Sequence, residues 1–198
     1  MGYRRIRPRR IPINRDEQQV ENFKINFKTL YDNFEVWYYD ETGIEGDSPL
    51  RLVWCCGKLR KECYYSGSHI RESLLGAVNP KTGGFESLIM PYTDGISFQY
   101  FLDYFNAKLK DRIVLMVMDN ASWHKSKSIN WGNVIPIYLP AYSPDLNPIE
   151  VLWKVIKDRL YDPIPVKDYE ELKDRIQVVV RQLINNPKEV KSICKVKY

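Results

Sequence analysis

The stretch IVLMVMDNASWH, residues 113–124, decides the fold prediction. Its six apolar residues, 113–118, are too few to span a membrane and have no helical period, so they predict a strand buried on both faces. Asp119 follows directly, at the position where open α/β sheets bind their ligands. The alternative is that Asp119 and Asn120 only open a turn, because both side chains readily hydrogen-bond to nearby backbone.

The stretch YLPAYSPDLNPIEVLWKVIK, residues 138–157, predicts a turn followed by a helix that carries a second carboxylate. Asn147 is a suitable N-cap, Pro148 fits the first helical position, and Glu150 follows close behind. A glutamate there is also typical of a capping box, so Glu150 alone does not establish a site. Beyond the cap, a buried face is predicted by apolar residues at helical spacing, namely Ile149, Leu152, Ile156 and Leu160.

A third carboxylate, Asp40, lies in NFEVWYYDETG, residues 33–43. Apolar and other side chains alternate along this segment, which predicts a half-buried strand that ends on Asp40. Two strand-terminal aspartates and one helix-borne glutamate supply the hard oxygen ligands needed to hold two Mg²⁺ about 3.5 to 4 Å apart. The sequence therefore offers Asp40, Asp119 and Glu150 as candidate metal ligands.

Three blocks together resemble the catalytic domain of DDE transposases of the mariner superfamily, specifically its bacterial insertion-sequence branch. They are YYDETG (residues 38–43), MDNASWH (118–124) and LPAYSPDLNPIEVLWKVIK (139–157). The third block is the most specific, because a Ser-Pro-Asp-Leu-Asn-Pro-Ile-Glu run before a tryptophan-bearing helix is far more restrictive than a single acidic residue. The resemblance covers about residues 34–160.

The resemblance implies both a fold and a reaction. The fold is α/β and RNase H-like, with a mixed five-stranded sheet whose first three strands are antiparallel, whose last two are parallel, and whose faces are covered by helices. Asp40, Asp119 and Glu150 are the implied catalytic and metal-binding triad, with two Mg²⁺ or Mn²⁺ ions as cofactors. The implied reaction is cutting and joining of DNA at transposon ends, by a homodimer assembled on that DNA.

Local patterns predict the remaining elements. Residues 71–92 contain two apolar runs around an Asn-Pro-Lys-Thr-Gly-Gly turn and predict a hairpin. Ser97 is expected to cap a helix with a wide aromatic stripe, and 134–139 predicts the last strand. The other expectations are an irregular edge at 50–57, a short helix at 121–129, a helix opened by Asp168 and Glu171, and a basic, poorly specified tail after 187.

Composition places the chain among globular proteins. With 198 residues, 44% hydrophobic and 28% charged, it is long enough for one domain with a substantial core. No apolar run reaches membrane length and no signal-peptide pattern follows Met1, so no membrane partner is expected. We expect a cytoplasmic, nucleoid-associated protein, or a nuclear one in a eukaryotic host.

The spacing of the four cysteines does not match a zinc site, which favours reduced, mostly buried thiols (Cys55, Cys56, Cys63 and Cys194).

The amino-terminal segment is strongly basic. Six of the first 15 residues are arginine and none is acidic, although the net charge of the chain is only +5. Such an arm could lie along DNA phosphates, or its charge could simply keep a tail solvated. We predict a basic arm and linker helix at 1–32 and a catalytic domain at 33–198, with DNA contacts from Arg4, Arg5, Arg7, Arg9 and Arg10.

Five further residues lie near the three carboxylates in the sequence. Glu41 should point away from Asp40 along the strand and is interpreted as structural. Asp145 lies in a turn, where aspartates often bond backbone amides, and is placed outside the metal site. His124 is expected either to contact phosphate or to be an ordinary surface histidine. Lys154 and Lys157 share the face of Glu150 and are candidate phosphate contacts.

Two other functions compete with a transposase. An RNase H-like nuclease would cut DNA without joining it, and an inactive transposase-derived protein would only bind DNA. The amino-terminal region departs from the family pattern, because full-length family members carry helix-turn-helix domains that recognise transposon ends. At most the arginine-rich end of such a region is present in this sequence.

Overall fold

A mixed five-stranded sheet forms the centre of the computed structural model, which describes residues 12–47, 62, 66–67, 69–160 and 166–196. The strands are β1 (Val36–Glu45), β2 (Arg71–Asn79), β3 (Gly84–Met90), β4 (Val114–Met118) and β5 (Val134–Tyr138). They pair in the order β3-β2-β1-β4-β5. The pairs β1–β2 and β2–β3 are antiparallel, whereas β1–β4 and β4–β5 are parallel. The predicted RNase H-like sheet and the hairpin are confirmed.

Helices cover both faces of the sheet. They are α1 (Glu17–Asn33), α2 (Gly95–Leu109), α3 (Ile149–Leu160), α4 (Tyr169–Ile184) and α5 (Pro187–Ile193). Side chains of α1, α3, α4 and α5 share one apolar core with one face of the sheet. The aromatic stripe of α2 fills a second core against the other face. A short 3₁₀ helix, Ser122–Lys125, follows β4 as expected.

β1 differs from its prediction in two ways. It is buried on both faces from Val36 to Tyr39, because as the central strand it lies between the two cores. It also continues to Glu45 rather than ending on Asp40, since β2 pairs with it along that whole length. The prediction of a half-buried strand that stops at Asp40 is therefore wrong on both counts.

The helix starts follow capping chemistry. Asp168 caps α4, as predicted, and Asp16 caps α1. The prediction that Ser97 caps α2 is wrong, because Asp94 is the N-cap and its carboxylate accepts a hydrogen bond from the Ser97 backbone N–H. The tail prediction is also wrong, since Asn186 caps α5 immediately after α4 ends. An Asn-Pro-x-Glu sequence is a helix start signal that the basic composition of the tail concealed.

Several predictions concern residues outside the described part of the chain. These are the five arginines of the basic arm, the irregular edge at 50–57, and the cysteines at 55, 56 and 63. Cys194 is described, and it is a buried free thiol, with burial raising its pKa to about 12.

Val20 and Phe27 of α1 join the same core as α3 and α4, while the domain boundary predicted at residue 33 stays a prediction. No helix in the described ranges has the length and apolarity to cross a bilayer.

Gly83 offers a test of how α5 is attached. It has φ of +80°, and a Cβ built there would lie 1.9 Å from the backbone oxygen of Pro187, the first residue of α5. We expect Gly83→Ala to lower the free energy of unfolding by about 1–3 kcal/mol, through left-handed backbone strain and displacement of α5. Chemical denaturation measures the change.

The matched control is Gly95→Ala, because a Cβ at Gly95 would be no closer than 3.7 Å to another side chain. This variant should be neutral or slightly stabilising. Equal unfolding free energies for the two variants would contradict the proposed packing of α5 on the hairpin turn.

Candidate active site

The three predicted carboxylates line one cavity, near the carboxyl-terminal end of β4. Asp40 and Asp119 are brought together by the parallel pairing of β1 with β4, in which Tyr38 lies opposite Val117. Each aspartate is two residues further along its strand direction, so the two reach the same level. Glu150 is the second residue of α3. The cavity has a volume of about 400 Å³, and its remaining wall is formed mainly by the turn at 139–147.

Asn147 attaches the amino-terminal end of α3 to the sheet. Its amide nitrogen donates a buried hydrogen bond of 3.0 Å to the backbone oxygen of Tyr39, next to Asp40. Its side-chain oxygen accepts from the backbone N–H of Ile149 at 3.3 Å. One side chain therefore caps the helix and fixes the distance between Glu150 and β1.

Trp153 forms the floor beneath Asp40. It is one helical turn beyond Glu150 and only 2% exposed, and its indole N–H donates to Oδ2 of Asp40 at 3.0 Å. The ring fits against Gly76 of β2, where a Cβ would be 2.6 Å from the indole. A buried indole N–H needs an acceptor, and here that requirement holds the Asp40 carboxylate in place.

The charges in the cavity are poorly compensated. Burial, then the nearby charges of Glu150 and Glu41, raise the pKa of Asp40 to about 8. Burial also raises the pKa of Glu150, an effect that Lys157 opposes and Asp119 reinforces. Carboxylates forced together in a cavity favour either protonation or a bound cation.

Asp119 has a different environment, formed by His124 of the 3₁₀ helix. Nδ1 of His124 lies 2.9 Å from Oδ1 of Asp119, and Nε2 lies 3.0 Å from Oε1 of Glu41. The Tyr39 hydroxyl donates to the same Glu41 oxygen at 3.0 Å. The hydrogen bond to His124 lowers the pKa of Asp119. Burial lowers the pKa of His124, but the two carboxylates outweigh it and raise that pKa to about 9.

His124 therefore corrects one expectation. It is 1% exposed, so it is not a surface histidine, and both ring nitrogens already face carboxylates. In this structure neither nitrogen is available to a DNA phosphate. Glu41 does point away from Asp40, toward His124 on the other face of β1, as the strand alternation predicted.

The other predicted residues fall in three groups. Asp145 lies outside the cavity, where it forms an ion pair with Arg15. Lys154 is exposed on α3, and Lys157 is close enough to Glu150 to influence its pKa. The arm arginines lie outside the described residues. The supporting roles of Asn147 and Trp153 do not follow from the sequence patterns, although a helix-borne tryptophan near a carboxylate is part of the third motif.

The donor set fits a hard divalent cation. Asp40, Asp119 and Glu150 offer oxygen ligands to one cavity, and the raised pKa of Asp40 reflects negative charge that a cation would offset. Within the described ranges, however, no three Asp, Glu, His or Cys side chains already form a compact metal-binding cluster. The side chains would have to draw closer on binding, as mutually repelling carboxylates do around a cation.

Asn147→Ala tests the attachment of α3. The substitution leaves the buried Tyr39 carbonyl without its partner and removes the helix cap, so we expect a loss of about 1–3 kcal/mol in the free energy of unfolding. Thermal or urea denaturation measures it. Asn33→Ala is the control, because its hydrogen bond to the Thr29 carbonyl is exposed. A loss no larger than that of the control would show that Asn147 does not hold α3 to β1.

Comparison with known proteins identifies the family. A protein of Sinorhizobium fredii (strain NBRC 101917 / NGR234), named uncharacterized protein y4pE/y4sA, is 28% identical over 122 residues, or 61% of this chain and 90% of that protein. A Mos1 transposase paired-end complex with left transposon end superposes with a TM-score of 0.67 at 18% identity, over 99% of this chain and 68% of that one. A mariner Mos1 paired end complex with Mg gives 0.64 at 20%, over 100% and 69%. These structures share the fold, as the mariner resemblance implied. Residues 35–173 match the DDE superfamily endonuclease family, and the chain therefore belongs to the DDE superfamily endonucleases.

Proposed function

We propose that this chain is the catalytic domain of a transposase that cuts DNA at transposon ends and joins the ends to a target, in a reaction that requires Mg²⁺ or Mn²⁺. The observation that carries the proposal is the shared cavity of Asp40, Asp119 and Glu150. In a DDE-family endonuclease fold, three converging carboxylates are the arrangement that metal-dependent phosphoryl transfer needs.

Asp40, Asp119 and Glu150 would hold two ions. Asp40 on the central strand, Asp119 just after β4 and Glu150 on α3 would each supply a carboxylate ligand to them. When bound, the ions would activate a water or a DNA 3′-hydroxyl and stabilise the leaving oxygen of an in-line displacement. Water as the nucleophile gives cleavage, and a 3′-hydroxyl gives joining.

The other cavity residues would keep this arrangement rigid. Trp153 holds Oδ2 of Asp40, and Asn147 fixes the start of α3 against β1. Both anchors are buried, so Asp40 and Glu150 rest on a packed strand and a packed helix. This is the support that a site requires when small displacements of reacting groups cost large factors in rate.

DNA is the proposed partner. The Mos1 transposase that shares this fold forms a paired-end complex with a transposon end, and the present chain places its cavity beside the basic residues of α3. Lys154 and Lys157 would contact phosphates next to the scissile bond, and the arm arginines would contact phosphates further away. We further propose that the chain acts as a homodimer on DNA and is located with the host's DNA. We also propose that residues 1–32 form a basic arm and linker helix and that residues 33–198 form the catalytic domain.

Substitution of each carboxylate tests the proposal directly. Asp40→Asn, Asp119→Asn and Glu150→Gln should each lower the rate of Mg²⁺-dependent nicking by at least about 10³-fold, because each removes an anionic metal ligand without changing side-chain size. Cleavage of a labelled duplex with the matching transposon end, or of supercoiled plasmid with Mn²⁺, measures the rate. Joining of pre-cleaved ends distinguishes a transposase from a nuclease that only cuts.

The matched control is Asp111→Asn. Asp111 is exposed and lies just before β4, at the opposite end of that strand from Asp119. Asp145 is a poorer control, since its ion pair with Arg15 ties it to the turn beside the cavity. Nicking that survives all three carboxylate substitutions, or is lost equally in Asp111→Asn, would overturn the site assignment.

Lys157 allows a separate test of DNA contact. We expect Lys157→Ala and Lys154→Ala each to weaken DNA binding across all sequences and to reduce the slope of log K against log salt concentration by about 1, because each removes one phosphate contact. Fluorescence anisotropy at several salt concentrations measures both quantities. Lys24→Ala on α1, whose lysine pairs with Glu21, is the control, and an unchanged salt slope in both α3 variants would contradict the proposed path of the DNA.

A further inference from the structure

The Glu41–His124 pair lies beside the carboxylate cavity, and nothing in the proposed reaction uses it. A buried imidazole with a carboxylate at each ring nitrogen cannot turn without breaking a hydrogen bond. On the basis of the proposed function, we propose that His124, itself fixed by Glu41, is a positioning residue that sets the orientation of the Asp119 carboxylate for metal binding.

The hydrogen bonds of Asp119 favour this role. Oδ1 accepts from the backbone N–H of Ala121 at 3.0 Å and faces His124 at 2.9 Å. Among the described residues, no hydrogen bond to Oδ2 is found. The Asp119 side chain is 59% exposed and lines the cavity. The protein therefore holds one oxygen and leaves the other for a cation.

The surroundings of His124 explain why it can act as a fixed support. Its ring packs against Phe98 of α2, with ring centres 4.6 Å apart, and against the edge of Tyr39 at 5.6 Å. Glu41 is itself held by the Tyr39 hydroxyl. The chain of contacts thus begins on β1, the strand that carries Asp40, and ends on the loop that carries Asp119.

This arrangement couples the two aspartates through a path separate from the cavity. Without it, Asp119 would be a half-exposed side chain just beyond a strand end, free to adopt several rotamers. Carboxylates that bind metals are generally oriented by hydrogen bonds, and losing such a partner typically weakens metal affinity 10- to 100-fold. That factor is the expected size of the His124 contribution.

The test measures Mn²⁺ affinity of the full chain by electron paramagnetic resonance or calorimetry, without DNA. We expect His124→Leu, which removes both hydrogen bonds but keeps an apolar contact, to raise the Mn²⁺ dissociation constant about 10- to 100-fold. His124→Asn should recover part of the loss, because its amide can donate from the position of Nδ1. Glu41→Gln, which keeps an acceptor for His124, should change the constant about threefold or less.

Phe98→Leu is the control for packing alone, since it loosens the ring contact and leaves both hydrogen bonds. It should lower the melting temperature without changing Mn²⁺ affinity. If His124→Leu does not fold, the comparison of His124→Asn with Phe98→Leu decides: weaker Mn²⁺ binding only in the asparagine variant supports the proposal, and equal binding overturns it.

The outcomes separate this inference from the proposed function. Wild-type protein that binds Mn²⁺ through Asp40 and Glu150, but no more tightly than His124→Leu, overturns the role of His124 alone. Wild-type protein that binds no Mn²⁺, or binds it equally after Asp40→Asn, overturns the proposed function and this inference together. A crystal structure of His124→Leu should show the Asp119 carboxylate turned away from its wild-type orientation, and an unchanged orientation would also count against the proposal.

Discussion

The parallel pairing of β1 with β4 is the constraint on which the site depends. In two paired parallel strands, residues at the same level are neighbours whatever their separation in sequence. The register of β1 and β4 puts Asp40, within β1, level with Asp119, just after β4, and α3 packs beside them and brings Glu150 to the same cavity. The two cores hold the pairing in place, since β1 and β4 are covered on both faces.

The two aspartates of the cavity lie in different electrostatic environments. Burial and repulsion from Glu150 raise the pKa of Asp40 more than the hydrogen bond from Trp153 lowers it, whereas His124 stabilises the charge of Asp119. Two aspartates at one level of the sheet therefore have different protonation behaviour, set by the helices that cover them. The repelling carboxylates of Asp40 and Glu150 are held near each other because both lie on packed elements, β1 and α3.

Much of this arrangement could be predicted from the sequence, because its signals are local. The apolar run before Asp119, the turn at residues 79–84 and the caps of α1 and α4 each follow from short patterns. The role of β1 as a central strand could not, since alternation along one strand does not show which neighbours cover it. For the same reason the sequence does not show that His124 is buried, because its burial depends on α2 packing over it.

The ion pair between Arg15 and Asp145 has a further consequence for how the chain enters the domain. Arg15 precedes α1, its side chain is almost fully buried, and its partner Asp145 lies within the turn that forms one wall of the cavity. The chain is therefore tied, just before α1 begins, to the turn that lines the cavity. Because the same turn lines the carboxylate cavity, this ion pair restrains the cavity wall from the side of α1, as Asn147 does from the side of β1.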